Sequence, residues 1–192
     1  MNGLCWASLD TPVGLVSVGC SQAGVARVRY GRPTVPTIGE RAAATGSAEN
    51  GSAAGFAQTA RTELREYFQG GRRVFDVPVD WASTGGTQLR VLTVLAETVG
   101  YGETISYGAL ARRAGLPAAD PASARAVGAT MAANPIPIIV PCHRVLASDG
   151  LGGYSGGDGV EVKRWLLILE GSHPPTLDWD PRGVAAGRPP GW

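Results

Sequence analysis

The chain has 192 residues, more than a typical single domain of roughly 100 to 150 and fewer than two large ones, and 44% of its side chains are hydrophobic against 17% charged. Its formal net charge is +1, so no global basic field points to a nucleic-acid or membrane partner, and no apolar run approaches the ~20 residues that span a bilayer. Three cysteines make no disulfide framework and leave at least one free thiol, while Met1 to Asp10 lacks the layout of a secretory leader, so a soluble protein in a reducing cytoplasm is expected.

From residue 5 to residue 30, short apolar runs are broken by Thr11-Pro12-Val13-Gly14 and by residues 21–24, the pattern of an antiparallel meander. A first turn centred on Pro12 and Val13 sets Cys5 opposite Cys20. Residues 32–55 are rich in Ala, Gly, Ser, Thr and Pro without an apolar period and read as a flexible surface insertion. Phe56, Ala60, Leu64, Tyr67 and Phe68 then recur on one helical face up to Gly70-Gly71, and strand-like alternation returns over residues 74–81. After a Ser-Thr-Gly-Gly joint at 83–86, Leu89, Leu92, Leu95, Ala96 and Val99 mark an amphipathic helix closed by Gly100. These signals divide the chain into a strand-rich domain over residues 1–85, a second domain over 86–171, and a Pro/Gly-rich tail, 172–192, expected to be poorly ordered.

Two short helices follow in the second domain. One is capped by Ser106 and covers 107–114, and the other is capped by Ser123 and covers 124–133, with Gly115 and Asn134 at their C-terminal ends. Consecutive short helices point to a helix-turn-helix, although the connection 115–123 exceeds the usual ~3 to 4 residues. Residues 136–140 read as a buried extended stretch running into Pro141-Cys142-His143-Arg144. A Gly-rich loop at 150–159 and a helix with Val162, Trp165, Leu166 and Leu169 inward complete the domain at Glu170-Gly171.

Cys142 stands between an apolar run and a polar trio, where a thiol of ordinary pKa, ~8.5, is mostly protonated at neutral pH and needs a base to act as a nucleophile. His143 is adjacent, but neighbours on an extended segment face opposite ways, so one intervening water is the natural relay. Taken locally, a cysteine at the end of an apolar run is more often an inert packed residue than a nucleophile. Glu170 adds an independent clue: a carboxylate at a helix C-terminus opposes the helix dipole at a cost of about 0.3 to 1 kcal/mol, which a histidine partner would offset and full solvation would make negligible. Asn134-Pro135 ends the preceding helix, and the Asn134 side chain is placed to brace the segment before Cys142.

With these residues in place, the sequence resembles the O6-alkylguanine-DNA alkyltransferases, also called methylated-DNA-protein-cysteine methyltransferases. The matching segments are Tyr101-Gly102-Glu103-Thr104 with Ser106-Tyr107, Arg125-Ala126-Val127-Gly128, Asn134-Pro135, Ile138-Ile139-Val140-Pro141-Cys142-His143-Arg144-Val145 and Gly153-Tyr154-Ser155-Gly156-Gly157. The clear resemblance covers 101–170, and a fainter one reaches Leu9-Asp10-Thr11-Pro12-Val13-Gly14. It implies an α+β protein: a small N-terminal α/β domain of ribonuclease H-like type, and a mainly helical C-terminal domain with a helix-turn-helix of winged-helix type.

The activity implied is direct-reversal DNA repair, a single irreversible transfer of an alkyl group from O6-alkylguanine, with O4-alkylthymine as a further substrate, to Cys142. No cofactor or metal is implied. The partner is double-stranded DNA, bound by a monomer through the minor groove with the damaged base flipped out. By the same resemblance His143, linked through water to Cys142 and paired with Glu170, helps form the thiolate, and Asn134 supports the turn. Tyr107 donates to the departing guanine, Arg125 fills the space left in the duplex, and Val145 and Ser155 lie near the flipped base. Ala126, Gly128, Ala129 and Ala132 let the second helix approach DNA closely.

Three departures from the family pattern stand out: Thr87-Gln88 with Leu92 in place of Phe-Gln and Trp, Gly100 in place of a common proline, and a connection at 116–123 about four residues longer than usual by the ~3 to 4-residue norm of the motif. Some relatives hold zinc in the N-terminal domain; here Cys5 and Cys20 lack histidine partners, since His143 and His173 lie elsewhere, so no four-ligand site is expected and a hydrophobic cross-strand cysteine pair is. A cysteine peptidase would need an opposed histidine and an oxyanion hole, which nothing beyond His143 suggests. A non-catalytic lesion sensor of the same fold would lack Cys142. Shortening the 116–123 connection should change DNA affinity more than the rate of reaction with free O6-benzylguanine; equal losses in both assays would contradict a role in docking.

Overall fold

The computed structural model describes residues 3–33, 51–117 and 120–175, which fall into two compact units, one ending at Ser83 and one beginning at Thr84. Most of the expected insertion (34–50), two residues of the long connection (118 and 119) and the tail from 176 lie outside the described residues. Among the described residues no helix is long and apolar enough to cross a membrane.

In the first unit, β1 (Cys5–Thr11), β2 (Gly14–Ser21) and β3 (Gly24–Tyr30) form an antiparallel sheet in that order. The register puts Cys5 opposite Cys20, as the position of the first turn implies, and both thiols are free. Burial, with Cys5 adding to it, pushes the Cys20 thiol up to about 12, so it behaves as a small apolar side chain. Helix α1 (Ala53–Phe68) lays Ala57, Ala60, Leu64 and Tyr67 on the sheet, all fully buried. The helix starts earlier than its apolar period suggests because the Ser52 hydroxyl caps it, accepting from Gly55 N at 3.0 Å, so residues 53–55 are helical rather than part of the insertion.

Residues 74–81 do not continue the sheet as alternation suggested; Val79 forms only an isolated bridge to Val25. Their backbone is held by a side chain instead: the buried Glu63 carboxylate accepts from Asp76 N and Val77 N at 3.1 and 3.2 Å. Val25 N then donates to Pro78 O at 2.7 Å. This close approach requires glycine beforehand, since Gly24 has φ +136° and a Cβ there would lie 2.1 Å from the Pro78 carbonyl oxygen.

In the second unit, α2 (Gly86–Thr98) buries Val91, Leu92 and Leu95, while Ala96, expected to face inward, is exposed. Gly100 N donates to the Glu103 carboxylate at 2.9 Å, a bond that proline at this position could not make. Strand β4 (Ile105–Ser106) pairs in parallel with β5 (Val145–Leu146), so the entry to α3 (Tyr107–Arg113) lies beside the segment leaving Cys142. Ser106 caps α3 as expected.

Helix α4 (Pro121–Ala132) begins before the expected Ser123 cap. Asp120 takes that role, its carboxylate accepting from Ala122 N at 2.8 Å, and the Ser123 hydroxyl donates back to Pro117 O at 2.9 Å. The connection therefore lies at 114–120, shorter than residues 115–123 suggested. In the closing helix α5 (Val160–Leu169), Val162, Trp165 and Leu166 face inward, but Leu169 is only half-buried and Lys163 is fully buried.

Gly24→Ala should destabilise the first unit by about 2 kcal/mol or more, because the added methyl meets backbone in a left-handed conformation. Urea denaturation checks this, and an unchanged midpoint would contradict the close approach.

Candidate active site

Residues 136–140 are buried as expected, apart from the half-buried Ile139, but are not extended. Asn134 bends them into a turn: its Nδ2 donates to Val140 O at 2.9 Å and its Oδ1 accepts from Ile136 N at 3.0 Å, while Val140 N donates to Ile136 O at 2.9 Å. Ile138 is held at φ +76°, a conformation β-branched residues rarely adopt and one the surrounding bonds enforce. The turn delivers Cys142 at the start of a short 3-10 segment, Cys142–Arg144, so the chain does turn between Cys142 and His143.

His143 is fully buried, and its Nε2 lies 2.9 Å from Glu170 Oε1. Arg144 holds the same carboxylate in a two-pronged grip, with Nε 2.8 Å from Oε2 and Nη2 2.9 Å from Oε1, and its Nη1 donates to Val99 O at 2.7 Å. Burial alone would raise the Glu170 carboxyl, but the bonds and charges of His143 and Arg144 outweigh it and bring it down to about 2. An ionised carboxylate only accepts, so His143 Nε2 carries the proton and Nδ1 keeps its lone pair. That Nδ1 is buried and has no hydrogen-bond partner among the described residues. Burial, with Arg144 and Lys163 adding to it, holds the His143 pKa below its ordinary value against the pull of Glu170, so the ring rests neutral and able to accept a proton.

The far end of Glu170 is fixed by the Tyr101-Gly102 pair. Tyr101 Oη donates to Leu169 O at 2.9 Å, and Gly102, at φ +78°, comes so close that a Cβ would stand 3.0 Å from Glu170 O.

Cys142 opens onto a cleft of about 380 Å³, lined also by Tyr107, Gly128, Met131, Ala132, Gly153, Tyr154 and Ser155. The volume falls in the range of small-ligand sites. Cys142 is only 5% exposed, and burial pushes its thiol pKa up; hydrogen bonds from Asn134 and Tyr154 and the charge of Lys163 work against this. Burial and the charge of Cys142 raise the Tyr107 pKa, so its hydroxyl stays protonated and can donate.

Of the residues singled out from sequence, Cys142, Tyr107, Ser155, Gly128 and Ala132 meet at this cleft, with His143, Glu170 and Asn134 bracing it from behind. The Ser155 hydroxyl donates to Ala132 O at 3.0 Å and so ties the Gly-rich loop to α4. Arg125, Ala126 and Ala129 are exposed on α4. Val145 does not line the cleft; its side chain is buried and its carbonyl is taken by Lys163. Sequence reasoning gave no role to Arg144, Lys163, Met131 or Tyr154. Arg144 and Tyr154 sit inside quoted motifs, whereas burial of Lys163 has no signature in a pattern that treats lysine as polar.

A family model described as 6-O-methylguanine DNA methyltransferase, DNA binding domain, matches residues 86–172. The chain is 37% identical over 172 residues to a methylated-DNA–protein-cysteine methyltransferase of Mycolicibacterium paratuberculosis, a match covering 89% of this chain and 94% of the relative. To the mouse protein of the same name it is 51% identical over 82 residues, 43% of this chain and 37% of the mouse one, so it spans little more than a third of that relative. The crystal structure of Mycobacterium tuberculosis OGT in complex with DNA matches with a TM-score of 0.66 at 36% identity, over 87% of this chain and 93% of that one. The chain belongs to the methylated-DNA–protein-cysteine methyltransferase family. It shares the mixed architecture of helices and a small antiparallel sheet seen in OGT.

Because the Glu170 pKa is depressed from 4.5 to about 2 on folding, its stabilising contribution is complete above about pH 5 and is lost as pH falls through 4.5 toward 2. The shift corresponds to about 3 kcal/mol. Glu170→Gln should flatten this acid limb in urea denaturation measured across pH, and an unaltered limb would show that the carboxylate is not the group being titrated.

Proposed function

We propose that the protein repairs DNA by moving the alkyl group of an O6-alkylguanine onto Cys142, once and irreversibly. The observation that carries this reading is a cysteine at the floor of an open cleft, backed by a buried histidine whose free nitrogen is available as a base. His143 Nδ1, acting through one water, takes the thiol proton. The sulfur attacks the saturated carbon on O6, the S–C bond forms as the C–O6 bond breaks, and the electron pair stays with the purine. The Tyr107 hydroxyl donates to that leaving group, and the proton held by His143 ends, through solvent, on the restored guanine. A thioether offers no ready leaving group, so the protein is spent. O4-alkylthymine presents the same alkyl–oxygen bond and is the second substrate class.

A stacked base cannot present this carbon to Cys142, so the nucleotide is rotated out of the duplex. Arg125, exposed on α4, takes its place, and Ala126, Gly128, Ala129 and Ala132 let that helix lie close in the minor groove. Asn134 keeps the Cys142 turn in shape, Ser155 orders the loop, and Val145 acts through its backbone. In this reading α3 and α4 are the helix-turn-helix of a winged-helix domain over residues 86–171, residues 1–85 form a ribonuclease H-like domain, and the protein works as a cytoplasmic monomer.

Incubation with duplex DNA containing O6-methylguanine should add one methyl group to the peptide bearing Cys142, read by mass spectrometry, and Cys142→Ser should abolish it. Intact DNA binding with unmodified Cys142 would instead identify a lesion sensor.

A further inference from the structure

Sixteen of the seventeen basic residues are arginine, and the single lysine in the chain, Lys163, is fully buried on α5. Its ammonium donates to Val145 O at 2.7 Å and Gly153 O at 3.3 Å, and lies 6.0 Å from the centroid of the Tyr107 ring. Tyr107, Gly153 and Cys142 all line the cleft, so the charge sits beneath its floor. Among the described residues no carboxylate pairs with it; Glu170 is held by Arg144 and His143. Arg144 and Lys163 therefore set two buried positive charges against one buried negative charge. An ammonium removed from water is costly unless something answers its charge, and two carbonyl dipoles answer only part of it. The ionisable groups facing Lys163 are Tyr107, His143 and Cys142; the Tyr107 hydroxyl stays protonated and His143 rests neutral, so the thiolate that alkyl transfer generates at Cys142 is the anion able to answer the charge.

We propose that Lys163 is a positioning residue that serves as the counter-ion of the Cys142 thiolate. Its chemistry fits this role: a compact ammonium on a flexible stem seats a point charge between the Val145 and Gly153 carbonyls, an arrangement less suited to a planar guanidinium. The interaction is reciprocal. Lys163 lowers the Cys142 pKa against burial, and Cys142 raises that of Lys163, which burial brings down to about 8. Alkylation of Cys142 would remove the anion and leave the ammonium unanswered. The proposal deepens the alkyl-transfer reading and rests on it for its purpose, but not for its test.

The test uses the protein without DNA. Labelling with 15N-lysine gives one side-chain signal, that of Lys163, which needs no assignment. Its titration midpoint should fall in Cys142→Ser relative to the wild type, and equal midpoints would overturn the proposal. In folded Lys163→Met, the Cys142 thiolate, followed by 13Cβ shift, should form about one pH unit higher, roughly tenfold less thiolate at neutral pH. An unmoved Cys142 midpoint would equally overturn it. If Lys163→Met does not fold, the lysine titration decides alone. Absence of repair activity alongside the expected titrations would count against the alkyl-transfer reading and leave the counter-ion in place.

Discussion

Glu170 is a carboxylate buried at the end of α5, and the second unit is arranged around the need to satisfy it. Arg144 neutralises its charge and occupies both oxygens, which leaves His143 hydrogen-bonded to a carboxylate that has little reason to draw a second full charge onto the ring. A lone buried Glu–His pair would favour imidazolium. The added guanidinium turns the same pair into a device that fixes the tautomer and leaves the histidine neutral. Tyr101 and Gly102 then hold the end of α5 in place, so sequence motifs far apart in the chain serve one carboxylate.

The cysteine is exposed to the opposite influence. Burial disfavours its thiolate, and the structure answers with hydrogen bonds from Asn134 and Tyr154 and with the charge of Lys163. In the proposed reaction, proton acceptance and anion stabilisation fall to different residues. His143 lies behind the Cys142 turn, and Lys163 lies beneath the cleft between two carbonyls. Parallel pairing of β4 with β5 brings the start of α3, and with it Tyr107, to the same cleft.

Much of this was legible in the sequence, for reasons that differ by residue. The register of Cys5 against Cys20 followed from one turn, whereas the pairing of His143 with Glu170 was implied by the family resemblance, and the carboxylate at the C-terminal end of a helix only hinted at a partner. The turn at 136–140 is not legible in the sequence because an apolar run reports burial and not conformation; Asn134 bonds the run into a turn that no periodicity encodes. At α4, Asp120 outcompeted Ser123 as the cap, since both residues are good caps and only the path of the chain decides between them. Arg144 and Lys163 escaped notice because pattern reading assigns charged residues to the surface, and both are buried by partners distant in sequence.

Glu170, neutralised by Arg144, keeps His143 neutral with its lone pair on Nδ1. The chain has two histidines, so 15N spectra of the imidazole rings resolve His143 readily. At neutral pH the ring should carry its proton on Nε2 and none on Nδ1. A doubly protonated ring, or a proton on Nδ1 with Nε2 bare, would contradict it.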